Sequence, residues 1–299
     1  MRTFPIRVAL LTALLAGTGS ALIAQAWDAA SQARSWAKQD KDDSFTFYDP
    51  NAKALYTWMR DGGVLGSVPL AKLDETPDRW VMDPRNTAWV AHGLTVTQYD
   101  RSGRSIVNFR LPAEVGDACW DAKGFVFSYR APEPYLEKRD FKGALLWSFG
   151  AKPAKADGPA PQYRRTVVMD DAGKILMADG NALNLSILDG ETGRKVAETN
   201  LRLASGQPAP ALEGAVSERG PLALWSGHGV VFAAIRAVQI PAQLRETMQG
   251  LALARLDLVQ SRVEFLPTGL DETHTLIGVL DSDAVFVNPR GGLLLVKVK

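Results

Sequence analysis

Apolar residues in this chain come in short runs rich in Val, Ile, Leu, Phe and Trp. Asp, Gly, Asn and Pro break them at close intervals. Runs of that kind bounded by turn residues are the signature of strands. Four segments repeat one pattern. The first is Trp80-Val81-Met82-Asp83, Ala88-Trp89-Val90-Ala91, Val96-Thr97-Gln98-Tyr99-Asp100 and Gly103. The second is Ala118-Cys119-Trp120-Asp121, Phe125-Val126-Phe127, Leu136 to Asp140 and Gly143. The third is Val167-Val168-Met169-Asp170, Ile175 to Ala178, Leu185 to Asp189 and Gly193. The last is Ile277 to Asp281, Ala284 to Val287 and Leu293 to Lys299. A degenerate copy spans Leu222 to Val263, with Trp225-Ser226 in place of the aspartate.

Each unit reads as two hairpins. The turns DRSG, DFKG and the longer DGETG have a mechanical basis. Asp accepts a hydrogen bond from the backbone two residues on, and Gly takes the positive φ that the turn needs. These aspartates are expected to form turns, not to act as catalytic groups or calcium ligands.

Four-stranded units of about 40 residues predict an all-β chain folded as a single β-propeller. One small sheet cannot bury both faces alone, but it can between two neighbours. Six blades fit the strand count, and five remain possible. The strand Phe45-Thr46-Phe47-Tyr48 is expected to close against the C-terminal strands Ala284 to Val298, removing exposed edges. Val68-Pro69-Leu70 parallels Leu266-Pro267 and supports the phase of the repeat. The segments VVMDDAGKILMADGNALNLSILDGETGRKV and WVMDPRNTAWVAHGLTVTQYDRSGRSI resemble NHL-type repeats. The resemblance covers strand and turn positions of four units, without the Asn-His-Arg-Ile segment typical of that family. It implies an NHL- or TolB-like propeller fold and no activity.

Three connections are long: 150–163, 201–220 and 236–250. By the alternation of turns in a meander they are expected on one face, with the short Asp turns on the other. A helical turn is expected from Pro241 to Met248, proline being well placed at a helix start. Loops held by a rigid scaffold commonly carry function, so this face is the expected binding face. The starts of the first strands there contribute Arg79, Asp117, Arg164, Arg165, Arg219 and His274. Arginine's planar fork suits a carboxylate or phosphate, which makes these six the candidate ligand-binding residues. The ordinary alternative is pairing with the nearby Asp78, Glu114, Glu218 and Asp271.

Residues 1–26 are set apart from the fold. Arg2 and Arg7 precede an uncharged run from Val8, and Ala24-Gln25-Ala26 offers small residues for cleavage. This is the pattern of an export signal. The uncharged stretch reaches Trp27, so residues 8–27 could instead span a membrane, for which about 20 residues suffice. Either way the rest of the chain is expected outside the cytoplasm, periplasmic or secreted. Residues 27–43 read as a helical or loose tether, and 44–299 as the propeller.

Composition narrows the function further. With 34 basic and 33 acidic residues, the chain lacks the basic excess of a nucleic-acid binder. One cysteine, Cys119, excludes an intramolecular disulfide and reads as a buried, inert thiol. The three histidines fall in different units: His92 at a strand end, His228 in a short turn, His274 at a first-strand start. No metal site, cofactor or catalytic constellation is expected. Most of the eight tryptophans sit in strands, where packing is the simpler account. The expected function is therefore an exported binding module for a protein or a small anionic ligand. A hydrolase or lyase using His274 with Glu272 or Asp271 is one alternative. A scaffold subunit of an envelope complex is the other.

Overall fold

The computed structural model describes residues 34–35, 45–49, 52–58, 64–70, 79–82, 87–131, 133–152, 165–179, 183–214, 221–227, 230–280, 283–287 and 293–298. The expected leader 1–26, nearly all of the tether, and most of the connection 150–163 lie outside them. So do the short turn at His228 and the residues Arg164 and Arg219. Among the described residues no helix is long and apolar enough to cross a membrane.

The strands lie where the repeat puts them. A two-residue strand β1 (Arg34–Ser35) is followed by a sheet of β2 (Phe45–Asp49), β3 (Ala54–Trp58) and β4 (Val64–Pro69). The next sheet holds β5 (Arg79–Met82), β6 (Ala88–His92), β7 (Thr95–Tyr99) and β8 (Ser105–Arg110), with β1 added along β5. Then come β9 (Val115–Asp121), β10 (Gly124–Tyr129), β11 (Tyr135–Asp140) and β12 (Leu145–Gly150). The following sheet is β13 (Arg165–Met169), β14 (Lys174–Asp179), β15 (Leu185–Asp189) and β16 (Lys195–Glu198). The next is β17 (Ala223–Gly227), β18 (Val230–Arg236), β19 (Leu251–Asp257) and β20 (Arg262–Leu270). The last has β21 (Thr275–Leu280), β22 (Asp283–Val287) and β23 (Leu293–Lys297). Apart from β1, the strands of each sheet follow one another as antiparallel meanders. The fold class is all-β, built of propeller-type blades.

The matched segments at Val68 and Leu266 both fall in the last strand of their sheets, β4 and β20. One expectation is corrected. Phe45–Asp49 does not pair with the C-terminal strands among the described residues. It pairs with β3, from Phe45 opposite Trp58 to Asp49 opposite Ala54. The turn at Ala52-Lys53, with Lys53 at φ 46°, folds the strand back on its own sheet.

The turn aspartates act as their sequence predicts. Asp100 Oδ1 accepts from the Ser102 and Arg104 amides at 2.9 and 3.0 Å. Asp140 does the same for Lys142 and Ala144, and Asp170 for Ala172 and Lys174. Asp189 takes Glu191 and Thr192, and Asp257 takes Val259 and Gln260. Hydrogen bonds from the Ser102 hydroxyl and the Arg104 and Ser102 amides hold the Asp100 carboxyl down to about 2.

The contacts form two compact units, Met1–Leu111 with Thr273–Lys299, and Pro112–Glu272. In the first, Leu55, Val68 and Leu70 meet Trp80, Met82, Val90 and Tyr99 in one buried cluster. In the second, one layer joins Cys119, Val126, Leu136 and Trp147 to Val167, Met169, Ile175, Met177 and Leu188. A larger layer joins β13–β16 to β17–β20 through Val168, Leu176, Leu185, Val231, Ala233, Ile235, Ala252 and Leu256. Every residue of β10 is buried, so that strand is covered on both faces. Each fully buried Leu, Val, Ile or Phe contributes roughly 1.5–3 kcal/mol.

Polar groups bridge the sheets as well. Asp117 Oδ2 in β9 accepts from the Val167 amide in β13 at 3.1 Å. Lys138 is 1% exposed, and its Nζ donates to Asp121 Oδ2 at 2.6 Å and to the Gly190 carbonyl at 2.7 Å. Trp147 Nε1 donates to the same carbonyl at 3.2 Å. The glycines of DGETG are needed for this. A Cβ on Gly190 would overlap the Gly173 carbonyl, and one on Gly193 would overlap the Trp147 ring.

Two outcomes are expected. Lys138→Ala leaves Asp121 and the Gly190 carbonyl without their cation and lowers stability by about 3 kcal/mol or more, against under about 1 kcal/mol for the surface-paired Lys195→Ala. Urea titration of both variants checks this. The lowered Asp100 carboxyl means its turn is intact above pH 4 and is lost as pH falls toward 2. In an NMR pH series the Ser102 and Arg104 amides should hold their neutral-pH positions through pH 4.

Candidate functional site

The connection from β18 to β19 is the most elaborate loop described. It opens with a tight turn at Ala237–Gln239 and continues, after Pro241, into a short helix at Ala242–Arg245. That helix is shorter than the expected Pro241 to Met248, and Pro241 caps it. The Ala237 amide donates to the Gly250 carbonyl at 2.7 Å, which closes the loop at its base. Gly250 sits at φ 66°, a conformation that favours glycine. Ala237, Ile240 and Met248 are buried in the core layer below.

Gln239 ties the loop together. It is 2% exposed, and its Oε1 accepts from the Arg236 amide at 3.1 Å. Its backbone carbonyl accepts from the Glu213 amide at 2.7 Å. This last bond joins the loop to the other long connection of the same unit, in which Leu201 and Leu212 are buried. Above the anchors, Val238 stands 59% exposed, with Ala242, Gln243, Glu246 and Thr247 also exposed. Arg245 Nη1 donates to the Val238 carbonyl at 3.2 Å. Arg236 pairs with Glu272 at 3.1 Å at the margin.

The other long connection departs from the expectation that all its length lies with the loops. Residues 201–209 form a small hairpin, in which the Ala209 amide donates to the Leu201 carbonyl and Leu203 to Gln207. The hairpin lies along the start of β20. Arg202 donates to the Ser261 carbonyl and accepts from the Val263 amide, both at 2.9 Å. The cause is the open edge of β20, whose backbone groups need partners. Further on, the Glu213 amide reaches the 236–250 loop.

Of the six candidate ligand residues, Arg79 and His274 lie in the first unit and Asp117 and Arg165 in the second. Arg79 begins β5, and its side chain is not described. Asp117 is engaged by the amides of Ala118 and Val167. Arg165 is 4% exposed, and its Nη1 donates to the Ala131 carbonyl. The Arg165 carbonyl in turn accepts from Ser128 Oγ at 3.2 Å. Arg164 and Arg219 lie outside the described residues. His274 is half-buried just before β21. Cys119 is buried in a core layer. Among the described residues no three of His, Cys, Asp and Glu gather as a metal would require.

One polar cluster gave no sign in the sequence. Glu137 in β11 is 1% exposed. Its Oε1 accepts from Tyr135 at 2.7 Å, and its Oε2 accepts from Tyr129 at 2.8 Å. Arg139 reaches Oε2 through Nε and Nη2 at 2.8 and 2.7 Å. The two tyrosine rings stack with centroids 5.5 Å apart. Burial, and then the bond to Glu137, push the Tyr135 phenol up to about 12. Burial, and then the Glu137 charge, push Tyr129 higher still. Both phenols stay protonated and donate. Glu137 is buried, and its oxygens already hold four donors, three on Oε2 and one on Oε1, which is the arrangement of a structural cluster. Adjacent in the same strand, Lys138 points to the opposite face.

No family model matches the chain, and no curated protein matches it. Solved structures do. A protein of unknown function from Bacteroides caccae is 11% identical over 84% of this chain and 93% of its own, with a TM-score of 0.51. A chain of the mitotic checkpoint complex is 11% identical over 91% of this chain and 88% of its own, with a TM-score of 0.50. A virginiamycin B lyase from Staphylococcus aureus is 12% identical over 87% and 78%, with a TM-score of 0.49. The likeness is one of fold, the β-propeller, and it carries neither activity nor ligand across.

Gln239→Ala removes the acceptor of the Arg236 amide, at a cost of about 1 kcal/mol, or roughly fivefold faster exchange of that amide if it opens locally. Hydrogen exchange followed by NMR checks this. The Glu213 amide, bonded to the backbone of Gln239, should change less.

Proposed function

We propose that this chain is an exported β-propeller binding module that docks a protein partner on the 236–250 loop. The observation that carries this reading is the anchoring of that loop. Glu213 and Gln239 join two long connections, and Ile240, Met248 and Leu212 fix them to the core. A loop ordered in advance loses little further entropy on binding. It presents an apolar residue, Val238, beside polar neighbours and the Arg236–Glu272 pair, a mixture that suits a protein surface.

A protein partner is preferred to a small anion on the same grounds. Of the candidate arginines Arg165 is the one whose side chain is described, and it is buried against the Ala131 carbonyl while Asp117 serves backbone amides. Export rests on the sequence of residues 1–26, with their arginines, apolar run and Ala-Gln-Ala. No catalytic role is assigned to His274.

The test is site-specific photo-crosslinking in cells that express the full chain with its own leader. A photoreactive residue at Val238 should give a discrete adduct of higher mass, in the envelope fraction or the medium. The same residue at Lys142, exposed in a short turn, should give none. Adducts at both positions, or at neither, would remove the reading.

A further inference from the structure

In five of the six sheets the first strand ends the sheet among the described residues, at β2, β9, β13, β17 and β21. In the sixth, β5 carries β1 on its outer side. Arg34 lies opposite Arg79, and Ser35 opposite Trp80. The two strands run parallel, whereas among the described residues every other pairing between two of the named strands is antiparallel. An antiparallel neighbour arises from a hairpin, but a parallel one must arrive from elsewhere in the chain. Here the whole sheet β2–β4 separates β1 from β5. The pairing is therefore the docking of a distant segment on an open edge, the same mode by which extended peptides add to sheets.

The docked segment is not a natural strand. Residues 27–43 contain no Val, Ile or Thr, so their own strand preference is low. The edge of β5 supplies the order. A two-residue contact is weak by itself, and it persists because the chain holds it nearby at a high effective concentration. Its position also matters, since residues 34–35 lie after the expected cleavage point and so stay with the exported chain.

We propose that residues 34–35 act as a strap, which docks in cis on the edge of β5 and keeps that edge closed to other extended segments. The reading is independent of the partner surface at Val238. It makes residues 34–35 a resident occupant and β5 a strand-acceptor site.

The test uses the full chain in two forms. Neighbouring strands lie about 4.8 Å apart, within the Cα range that a disulfide spans. Arg34→Cys with Arg79→Cys should therefore give an intramolecular disulfide under mild oxidation, seen as a loss of two hydrogens in mass. The single variant Arg34→Cys should give none. No cross-link, or one between two chains, would overturn the strap. In the second form, Arg34→Pro with Ser35→Pro removes both backbone donors. A labelled peptide of residues 31–38 should bind that variant about tenfold or more tightly than it binds the unaltered chain. Equal binding to both, or binding to neither, would overturn the acceptor site.

Discussion

A four-stranded sheet of short strands has too little surface to be stable alone, and the chain answers by packing sheet on sheet. β13, buried along its whole length with Val167 and Met169 toward β9–β12 and Val168 toward β17–β20, shows the result. Once both faces are dry, any polar group between sheets must find its partner there. The Gly190 carbonyl meets that demand by accepting from Lys138 and Trp147 of the preceding sheet. Asp117 answers the Val167 amide, and Arg165 answers the Ala131 carbonyl. These bonds join β9–β12 to β13–β16 at points well separated along the strands.

The long connections obey the same rule. An open strand edge is a row of unmet donors and acceptors, and the 201–209 hairpin meets part of that row on β20. The Glu213 amide finds the Gln239 carbonyl, and the loop beyond it closes at Gly250. Val238 stays exposed above these anchors. Residues 34–35 meet part of the row on β5 in the same way.

The strands were legible because their signal is local. Trp80-Val81-Met82, Val167-Val168-Met169 and Ile175 to Ala178 alternate with aspartate turns whose geometry depends on four or five consecutive residues. The buried charges were not legible, because their partners are distant in sequence. Glu137, Lys138 and Arg139 are consecutive, yet Lys138 faces Asp121 and Gly190 while Glu137 faces Tyr129 and Tyr135. Nothing in the run Leu136 to Asp140 signals this. Arg165 misled for a related reason. A strand-start arginine looks exposed until the neighbouring sheet places a carbonyl over it. The candidate site was legible in outline, since the length of 236–250 and the proline at 241 marked it. The role of Gln239, set by Glu213, was not.

The account stands on adjacent sheets stabilising one another across their dry interface. Native-state hydrogen exchange across Pro112–Glu272, in the unaltered chain and in Lys138→Ala, tests this most directly. The account predicts that amides of β9–β12 and of β13–β16 lose protection together and by the same free energy. Loss confined to β9–β12, with β13–β16 unchanged, would show that the sheets stand independently and would contradict it.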